Sequence, residues 1–445
     1  MLHADTIAAV STAAGPAGIG VVRVSGPDVR KIIGALTGRD LPPRLAVLCE
    51  FNDAGDQALD RGIALFFPGP NSYTGEDLLE LQGHGGPAVL KLVLRRCFEL
   101  GARPAQPGEF TQRAFLNGKL DLAQAEGVAD LINAGSEAAA RGAMRSLSGE
   151  FSEKIRGLVK LLVALRVHIE ASIDFPEEGL DPSLSHKTSQ RIEILRAQLA
   201  KIIDSAEQGR LLRDGVRIVL IGRPNVGKSS LMNRLAQEDV SIVSEIPGTT
   251  RDLLRHDLII EGIPIHLADT AGLRDSADPV EKIGIARAWQ EANLADLAII
   301  VMEYGRGETS EDKELIARLP KNLRLLRIFN KIDLSSEQPG ITEGGETPKV
   351  KLSAKTGDGM DLAKKILLQM IGWRPLEETQ LLARERHVAA LKQANKALTN
   401  ALALSELDLI AEELRVAQNS LARVTGEFSS EDLLGEIFSS FCIGK

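Results

Sequence analysis

The residues with the clearest chemical potential form a glycine loop between a predicted strand and a predicted helix. An apolar, β-branched run at Val216–Ile221 leads into Gly222-x-x-x-x-Gly227-Lys228-Ser229, and helix-forming residues follow. The glycines allow backbone N–H groups to converge on a phosphate, and the helix start adds the positive end of its dipole. Lys228 would then contact the β- and γ-phosphate oxygens, and Ser229 would bind Mg²⁺. This order predicts a phosphate-binding loop; the alternative is a glycine turn before a surface lysine.

Four further motifs follow in the order that a GTPase requires. They are Gly248-Thr249-Thr250-Arg251-Asp252, Asp269-Thr270-Ala271-Gly272, Asn330-Lys331-Ile332-Asp333 and Ser353-Ala354-Lys355. In the first two, a threonine and Asp269 would hold Mg²⁺, and the Gly272 N–H would meet the γ-phosphate. In the last two, the Asp333 carboxylate would accept two N–H bonds from guanine, and a backbone N–H would contact the guanine carbonyl. Residues 216 to about 372 therefore resemble a Ras-like GTPase.

One position departs from the Ras-like pattern. Ras-like enzymes carry a glutamine after Asp-x-x-Gly that orients the attacking water, but this chain carries Leu273. A replacement must come from elsewhere, and the charged residues that follow are candidates: Arg274, Asp275, Asp278 and Glu281. Each of them could equally be a solvated loop charge. In the glycine loop, the side-chain oxygen of Asn225 could bind a cation near the phosphates and supply the charge that an arginine finger gives elsewhere.

Composition and charge narrow the class of protein. With 445 residues, 44% of them hydrophobic and 26% charged, the chain has the composition of about three globular domains. A formal net charge of −8 argues against nucleic-acid binding through bulk charge, although a local basic patch or a partner could supply it. Three scattered cysteines favour a reducing compartment over a disulfide framework. No signal peptide or membrane span is evident, so a cytoplasmic protein without membrane contact is expected.

Residues 1 to about 117 have the pattern of an α/β unit. Short strand-like runs lie between Gly and Pro turns, at Thr6–Val10, Ile19–Val24, Ile63–Phe67 and Leu78–Gln82. The apolar spacing over Pro87–Leu100 predicts a helix on their sheet that ends at Gly101.

Helical periodicity occurs on both sides of the GTPase segment. One apolar stripe runs from Leu147 to Ile169 as a single long helix face, a second covers residues 192–206, and two more cover residues 388–402 and 410–424. This suggests that the GTPase segment is inserted into one helical domain; the alternative is two unrelated helical pieces. The predicted domains are 1–117, 118–215 with 376–445, and 216–375. Residues 337–347, rich in Gly, Glu, Pro and Thr, predict a surface loop.

Across essentially its whole length, the chain resembles the MnmE/TrmE family of tRNA uridine-modification GTPases. The motifs that carry the resemblance are Gly222-Arg-Pro-Asn-Val-Gly-Lys-Ser-Ser230, Gly248-Thr-Thr-Arg-Asp252, Asp269-Thr-Ala-Gly-Leu-Arg274, Leu79-Glu-Leu-Gln-Gly-His-Gly-Gly-Pro87, Phe115-Leu-Asn-Gly-Lys-Leu-Asp-Leu-Ala-Gln-Ala-Glu126 and Phe441-Cys-Ile-Gly-Lys445. The resemblance implies a multidomain fold, part α/β and part all-α. It consists of an N-terminal α+β folate-binding domain, a helical domain and an inserted Ras-like, doubly wound G domain.

The resemblance also implies a potassium-stimulated GTPase whose G domains dimerise across their nucleotide faces. It assigns the positioning of the attacking water to Glu281, Mg²⁺ to Ser229 and Thr250, and K⁺ to Asn225, Ser244, Ile246 and Thr249. The full set of implied GTP-binding residues is Asn225, Val226, Gly227, Lys228, Ser229, Ser230, Ser244, Glu245, Ile246, Pro247, Gly248, Thr249, Thr250, Asp269, Thr270, Ala271, Gly272, Asn330, Lys331, Asp333, Ser353, Ala354 and Lys355. A monovalent cation would neutralise developing charge without an arginine.

The N-terminal domain of the family binds a reduced folate, 5,10-methylenetetrahydrofolate or 5-formyltetrahydrofolate, and forms a constitutive homodimer. By resemblance, the folate-contacting residues are Arg23, Glu80 and Lys119, with Lys445 near the same pocket. A carboxylate such as Glu80 can accept two N–H bonds from a pterin edge. From the pattern alone, Glu80 would be an outward strand residue and Lys119 a surface lysine.

The resemblance further implies a functional, catalytic thiol at Cys442. The last four residues fit a prenylation signal poorly. The alternative is a cysteine that is merely packed with Phe438 and Phe441, because free cysteine is often buried.

The expected function is therefore GTP hydrolysis that supports folate-dependent addition of a (carboxymethyl)aminomethyl group to C5 of the wobble uridine of tRNA. The resemblance implies a heterotetramer with an FAD-containing MnmG/GidA-like protein, which would bring most of the charge that binds RNA. The alternative is a ribosome-assembly switch without group transfer. Such a switch needs a basic RNA-binding module, and residues 1–117 and 376–445 do not have that character.

Overall fold

The strand-forming runs of the N-terminal region fold into a six-stranded sheet. The computed structural model describes residues 5–174, 184–238, 255–269, 289–342, 347–374, 381–427 and 431–444. The strands are β1 (Ile7–Val10), β2 (Ala17–Ser25), β3 (Val47–Asn52), β4 (Ala58–Phe67), β5 (Leu78–Gly85) and β6 (Arg103–Pro104). Their order is β3-β4-β5-β2-β1-β6, and only β1 and β6 pair in parallel. All four predicted strands are confirmed, and β3 and β6 lie outside the predicted runs.

Two helices cover one face of this sheet, and a third follows it. They are α1 (Val29–Thr37), α2 (Pro87–Glu99) and α3 (Glu109–Leu116). Ile32 and Leu36 of α1 and Val93 of α2 are buried in one core with Phe51 of β3. The proline at the start of α2 suits a helix because its fixed φ is already helical. The helix predicted over this segment is therefore confirmed.

The described residues between the N-terminal sheet and the GTPase segment form four longer helices after α3. They are α4 (Leu122–Ile132), α5 (Glu137–Leu147), α6 (Glu150–Asp174) and α7 (Leu184–Asp214). The predicted apolar stripe is confirmed on α6, which buries its members from Phe151 to Ile169. Only its first residue, Leu147, was placed wrongly, because it ends α5 and the chain leaves the helix before α6 begins. Gly149, with φ of 92°, lies at the break. Glycine adopts this left-handed conformation without the steric cost that a Cβ brings, so it ends one helix and lets the next begin.

The GTPase segment contains a seven-stranded sheet. Its strands are β7 (Val216–Ile221), β8 (Arg255–Ile260), β9 (Ile263–Asp269), β10 (Leu297–Glu303), β11 (Arg324–Asn330), β12 (Gly340–Thr342) and β13 (Lys349–Lys351). The order is β12-β13-β11-β10-β7-β9-β8, with antiparallel pairs only at the two edges. The central strands β7 and β10 are almost wholly buried, as a parallel sheet covered on both faces requires. This is the predicted doubly wound α/β fold.

One labelled helix of this segment follows β7, one connects β10 to β11, and one follows the last strand. They are α8 (Lys228–Glu238), α9 (Ser310–Ala317) and α10 (Met360–Met370). The surface loop predicted at residues 337–347 was wrong in part, because residues 340–342 form β12 against β13. That edge strand is only three residues long, too short for its alternation to stand out from the polar residues around it.

The described residues after the GTPase segment form three helices. They are α11 (Glu385–Ala403), α12 (Leu407–Thr425) and α13 (Glu431–Ser439). α12 packs along α6, and Arg166 Nη1 donates to Gln418 Oε1 at 2.7 Å. Phe438 and Phe441 pack with Leu122 of α4 in a second core. Helices from both sides of the GTPase segment in the chain therefore contact each other, which argues against two unrelated helical pieces.

The chain divides into two compact units. One consists of Met1–Ile132, Ser146–Gln198 and Ala390–Lys445, and the other of Asn133–Arg145 and Leu199–Ala389. The first contains the N-terminal sheet and the helical core, and the second contains the doubly wound sheet. None of the described helices combines the length and the apolar character that a membrane-spanning segment needs.

Candidate functional site

The glycine loop lies where the parallel strands end. β7 pairs with β10 through Ile221, and the loop then runs directly into α8. Gly227 has φ of 97°, and a Cβ there would lie 2.2 Å from Asn330 Nδ2, so no other residue fits. Asn225 has φ of 62°, a left-handed conformation that asparagine adopts more readily than most residues. The predicted order of strand, loop and helix is confirmed.

Lys228 faces the carbonyl oxygens of its own loop. Its Nζ donates to Gly222 O at 2.7 Å and to Arg223 O at 3.3 Å, and only 9% of the residue is exposed. Ser229 and Ser230, which follow in the first turn of α8, are exposed. The first turn of a helix also carries N–H groups that have no partner within the helix. The loop thus holds an ammonium, hydroxyl groups and N–H groups together, as an anion site requires.

Asn330, at the end of β11, joins three of the predicted motifs. Its Nδ2 donates to Val226 O in the glycine loop at 2.9 Å. Its Oδ1 accepts the N–H of Lys331 at 2.8 Å and the N–H of Ala354 at 2.9 Å. The residue is 2% exposed, and these bonds satisfy both ends of a buried amide. The phosphate-loop motif and the two predicted base-recognition motifs therefore belong to one site.

Asp333 and Lys331 are each held by a side chain from another strand or loop. Asp333 is exposed, and its Oδ1 accepts from Ser353 Oγ at 2.6 Å. Lys331 has φ of 71°, and its Nζ lies 3.2 Å from Glu303 Oε2 at the end of β10. Arg306 Nε lies 3.3 Å from the other oxygen of Glu303. The two side chains of the predicted guanine motif are thus fixed before any base binds.

A second cluster lies on the N-terminal sheet. Arg23 of β2 and Glu80 of β5 are paired in register, and Arg23 Nη2 and Nε donate to Glu80 Oε1 at 2.8 and 3.1 Å. Arg23 Nη1 also donates to Gly444 O at 3.4 Å. Its guanidinium lies 5.4 Å from the ring centroid of Tyr73 and 5.7 Å from that of Phe110. Two predicted folate residues and the end of the chain therefore meet around aromatic rings.

Lys119 and Cys442 were also predicted as functional residues, and both are exposed. Lys119 is exposed, and its ammonium makes no hydrogen bond or ion pair with the described residues. The C-terminal tail is fixed by backbone contacts, since Gly108 N–H donates to Cys442 O at 3.2 Å. Cys442 is exposed, whereas Phe438 and Phe441 are buried. The alternative of a cysteine packed between these rings was therefore wrong.

A buried charge network lies in the same unit. Arg113, which is 2% exposed, donates to Glu76 Oε2 and Glu109 Oε1, each at 3.0 Å. Arg103 Nη2 donates to Glu109 Oε1 at 2.5 Å. Burial by itself would raise the pKa of the Glu109 carboxyl, but hydrogen bonds from Arg103, from a backbone N–H and from Arg113 outweigh it and hold the pKa below its ordinary value. Removing one member of such a network costs about 3–5 kcal/mol.

Known proteins match the chain from end to end. The family model described as the N-terminus of GTP-binding protein TrmE matches residues 6–119, and the model described as the MnmE helical domain matches residues 122–442. A tRNA modification GTPase MnmE from Chromobacterium violaceum is 54% identical over 442 residues, which are 99% of this chain and 98% of that protein. The chain belongs to the MnmE family. The protein of the same description from Nitrosomonas europaea is 52% identical over 451 residues, with both chains covered completely.

The family resemblance drawn from the motifs is confirmed by these matches. Among solved structures, the G domain of the Thermotoga maritima FeoB iron transporter aligns with 35% of this chain and 98% of its own, at 26% identity and a TM-score of 0.26. The doubly wound assignment rests on the strand order of the chain itself. It places the ends of β7, β9 and β11 along one edge of the sheet, where open α/β sheets bind their ligands.

Much of the predicted MnmE catalytic machinery lies outside the described residues. This applies to Ser244, Glu245, Ile246, Pro247, Gly248, Thr249, Thr250, Thr270, Ala271, Gly272, Glu281 and Lys445. The backbone of Asp269 is described, as the last residue of β9 opposite Leu220 of β7, but its side chain is not. The magnesium, potassium and water-positioning assignments on these residues stay predictions.

Two supporting residues belong to none of the sequence motifs. Glu303 is opposite Asn330 in the β10–β11 register, and this is what brings it to Lys331. Arg113 is buried among carboxylates from three parts of the chain, including Asp5 and Glu76. The signal for Glu303 is an acidic residue at the end of a buried apolar run, but its partner becomes evident only when the strand pairing is known.

Proposed function

We propose that this chain hydrolyses GTP over the Gly222–Gly227 loop and couples hydrolysis to modification of tRNA uridine. The observation that carries the proposal is the set of hydrogen bonds from Asn330 to Val226, Lys331 and Ala354. It joins a phosphate-binding loop to a base-recognition motif, which is what a nucleotide enzyme with base specificity requires. Membership of the MnmE family supports tRNA as the target.

The phosphates are bound by groups that already face the loop. Lys228 exchanges the carbonyl oxygens of Gly222 and Arg223 for the β- and γ-phosphate oxygens, which are stronger acceptors because they are charged. The exposed hydroxyl of Ser229, together with Thr250, would hold Mg²⁺, which neutralises phosphate charge when it is bound. Asp269 would support the metal through water.

Guanine is selected by the Asp333 carboxylate. Ser353 Oγ donates to Oδ1 of this carboxylate at 2.6 Å and fixes its orientation. The carboxylate can then accept the two N–H groups that guanine offers and adenine does not. The Ala354 N–H is taken by Asn330, so the Lys355 N–H is the next amide that can donate to the guanine carbonyl.

Hydrolysis is assisted by a monovalent cation and an acid in place of a glutamine. The exposed amide of Asn225 is a neutral oxygen ligand of the kind that K⁺ accepts, and Ser244, Ile246 and Thr249 would complete the set. Glu281 would position the attacking water, since Leu273 has no polar atom for that task. A cation held by these residues would supply positive charge opposite the charge that develops in the transition state.

The N-terminal cluster takes a reduced folate that supplies the one-carbon unit. Glu80 Oε2 makes no hydrogen bond with the described residues, so it can accept from a pterin edge while Arg23 balances the charge through Oε1. The rings of Tyr73 and Phe110 flank the same guanidinium, and the exposed thiol of Cys442 lies two residues from Gly444. Lys119 and Lys445 would complete the folate contacts.

The wider assembly follows the family. We propose three domains, 1–117, 118–215 with 376–445, and 216–375, in a cytoplasmic homodimer that joins an FAD-containing MnmG/GidA-like protein as a heterotetramer. The product is a (carboxymethyl)aminomethyl group on C5 of the wobble uridine.

Mass spectrometry of tRNA from cells with and without this protein tests the proposal. Loss of the modified wobble uridines, restored by the wild-type chain, is expected; unchanged uridines would overturn it. Folate binding is tested by titrating 5-formyltetrahydrofolate into the full chain. Glu80→Gln should weaken binding, whereas Glu50→Gln, an exposed acid on β3 of the same sheet, should not. Equal affinities would remove the folate assignment.

A further inference from the structure

Arg223 of the glycine loop forms an ion pair with a buried carboxylate of helix α9, that of Asp312. Arg223 Nε lies 3.4 Å from Asp312 Oδ1, and the two side chains are 20% and 1% exposed. Oδ1 makes no hydrogen bond with any described residue. The guanidinium is therefore what balances the charge on this buried oxygen, and a buried carboxylate without such a partner is strongly unfavourable.

The other oxygen of Asp312 fixes the orientation of the carboxylate. Oδ2 accepts from Thr309 N at 3.0 Å and from Thr309 Oγ1 at 2.7 Å, as part of the capping box that begins α9. Because the helix start holds Oδ2, Oδ1 is presented toward the loop. Asp312 thus does more than cap its helix, since a capping box needs only one of its two oxygens.

The backbone of Arg223 continues this connection into the phosphate site. Its carbonyl oxygen lies 3.3 Å from Lys228 Nζ, beside that of Gly222 at 2.7 Å. An anchored Arg223 side chain therefore fixes the part of the loop against which the phosphate-binding ammonium rests. The chain of contacts runs from Asp312 to Arg223 and from Arg223 to Lys228.

We propose that Asp312 is a positioning residue of the nucleotide site, which acts through Arg223 to hold the loop in the conformation that receives phosphate. Arg223 is then a support for the loop and not a charge that reaches the transferred phosphate. The inference rests on the proposed binding of GTP to this loop. A loop that is fixed before binding gives higher affinity, because less ordering is required when the ligand arrives.

The test is nucleotide affinity in the full-length chain, measured with a fluorescent GDP. Asp312→Asn keeps the size of the side chain and an acceptor for the cap but removes the charge. Its Kd is expected to rise about tenfold. The control comes from the same helix: Glu314→Gln removes an exposed acidic charge and should keep Kd within about twofold of wild type.

A second variant distinguishes a role of Arg223 in supporting the loop from a role in the hydrolysis step. Arg223→Gln should raise Kd as Asp312→Asn does, while the single-turnover rate of bound GTP stays within about twofold. The double variant should be no worse than the poorer single variant, because both break one contact. An unchanged Kd with a rate loss of about 10³, the effect of removing an arginine finger, would overturn the inference. So would an unchanged Kd in Asp312→Asn. If the wild-type chain bound no guanine nucleotide, the proposed function itself would fail.

Discussion

Replacement of Asn330 by alanine removes the amide that joins the phosphate loop to the base-recognition motifs. Three hydrogen bonds are lost, at 2.9, 2.8 and 2.9 Å, and their partners stay behind. These partners are the carbonyl of Val226 and the N–H groups of Lys331 and Ala354. A buried polar group that loses its partner costs about 1–3 kcal/mol. At the lower end, appropriate for a site that water can enter, the three together cost about 3 kcal/mol.

This cost is divided between the free energy of unfolding and the affinity for nucleotide. About 3 kcal/mol corresponds to roughly a hundredfold in an equilibrium constant, so the Kd for GDP should rise between about tenfold and a hundredfold. Fluorescence titration of the folded variant gives Kd, and thermal unfolding without nucleotide gives the loss of stability. Kd should rise for GDP and GTP alike, because the bonds support the site and not the reaction.

A matched control is available at the end of α3, in the N-terminal region. Asn117 Nδ2 donates to Thr74 O at 2.6 Å, so Asn117→Ala also removes an amide hydrogen bond but far from the phosphate loop in the chain. It should reduce stability and leave Kd unchanged. Asn330 does not support the nucleotide site if Asn330→Ala is destabilised as expected yet binds GDP as tightly as wild type, or if both variants weaken binding equally.

The remaining predictions concern the base, the cation and acid stability. Asp333→Asn should shift preference from guanine toward xanthine nucleotides in competition assays, and unchanged selectivity would mean that the base lies elsewhere. GTP hydrolysis should be much faster in potassium than in sodium chloride at equal ionic strength, and Glu281→Ala should keep affinity but lose turnover; equal rates in the two salts would remove the cation. Glu109 has a pKa below its ordinary value of 4.5 in the folded protein. Its contribution to stability is therefore present above pH 4.5 and is lost as the pH falls through the lowered value. Denaturant unfolding of wild type and Glu109→Gln should differ at pH 7 and converge in acid.

The local parts of both sites could be predicted from sequence because the groups that act together are adjacent in the chain. The loop from Gly222 to Ser229 is contiguous with its strand and helix, so its geometry follows from residue types over a few turns. The same holds for α2, whose periodicity and initial proline define it. Gly149 shows the limit of such patterns, since an apolar stripe continues in sequence through a residue at which the helix stops.

Contacts between strands could not be predicted in this way. Glu303 reaches Lys331 only because β10 and β11 pair in a particular register. Asp312 reaches Arg223 only because α9 begins beside the glycine loop. In each case the sequence contains an ordinary acidic residue whose partner is distant in the chain, and its role depends on a tertiary contact that residue types do not specify.

Register is therefore the quantity on which both sites depend. Arg23 and Glu80 are 57 residues apart in sequence and meet because β2 and β5 place them opposite each other. Asn330 and Val226 are 104 residues apart and meet because β10 lies between β7 and β11.

A slip of one residue in either sheet would turn a strand's side chains to the opposite face. Arg23 would then lose its acceptor, and Glu303 would no longer stand opposite Asn330. The buried cores fix the register far more strongly than these polar contacts do, since a slip would expose a whole row of apolar side chains at about 1.5–3 kcal/mol each. The apolar patterning of the strands thus determines where the chemistry can be, and the motif residues determine what that chemistry is.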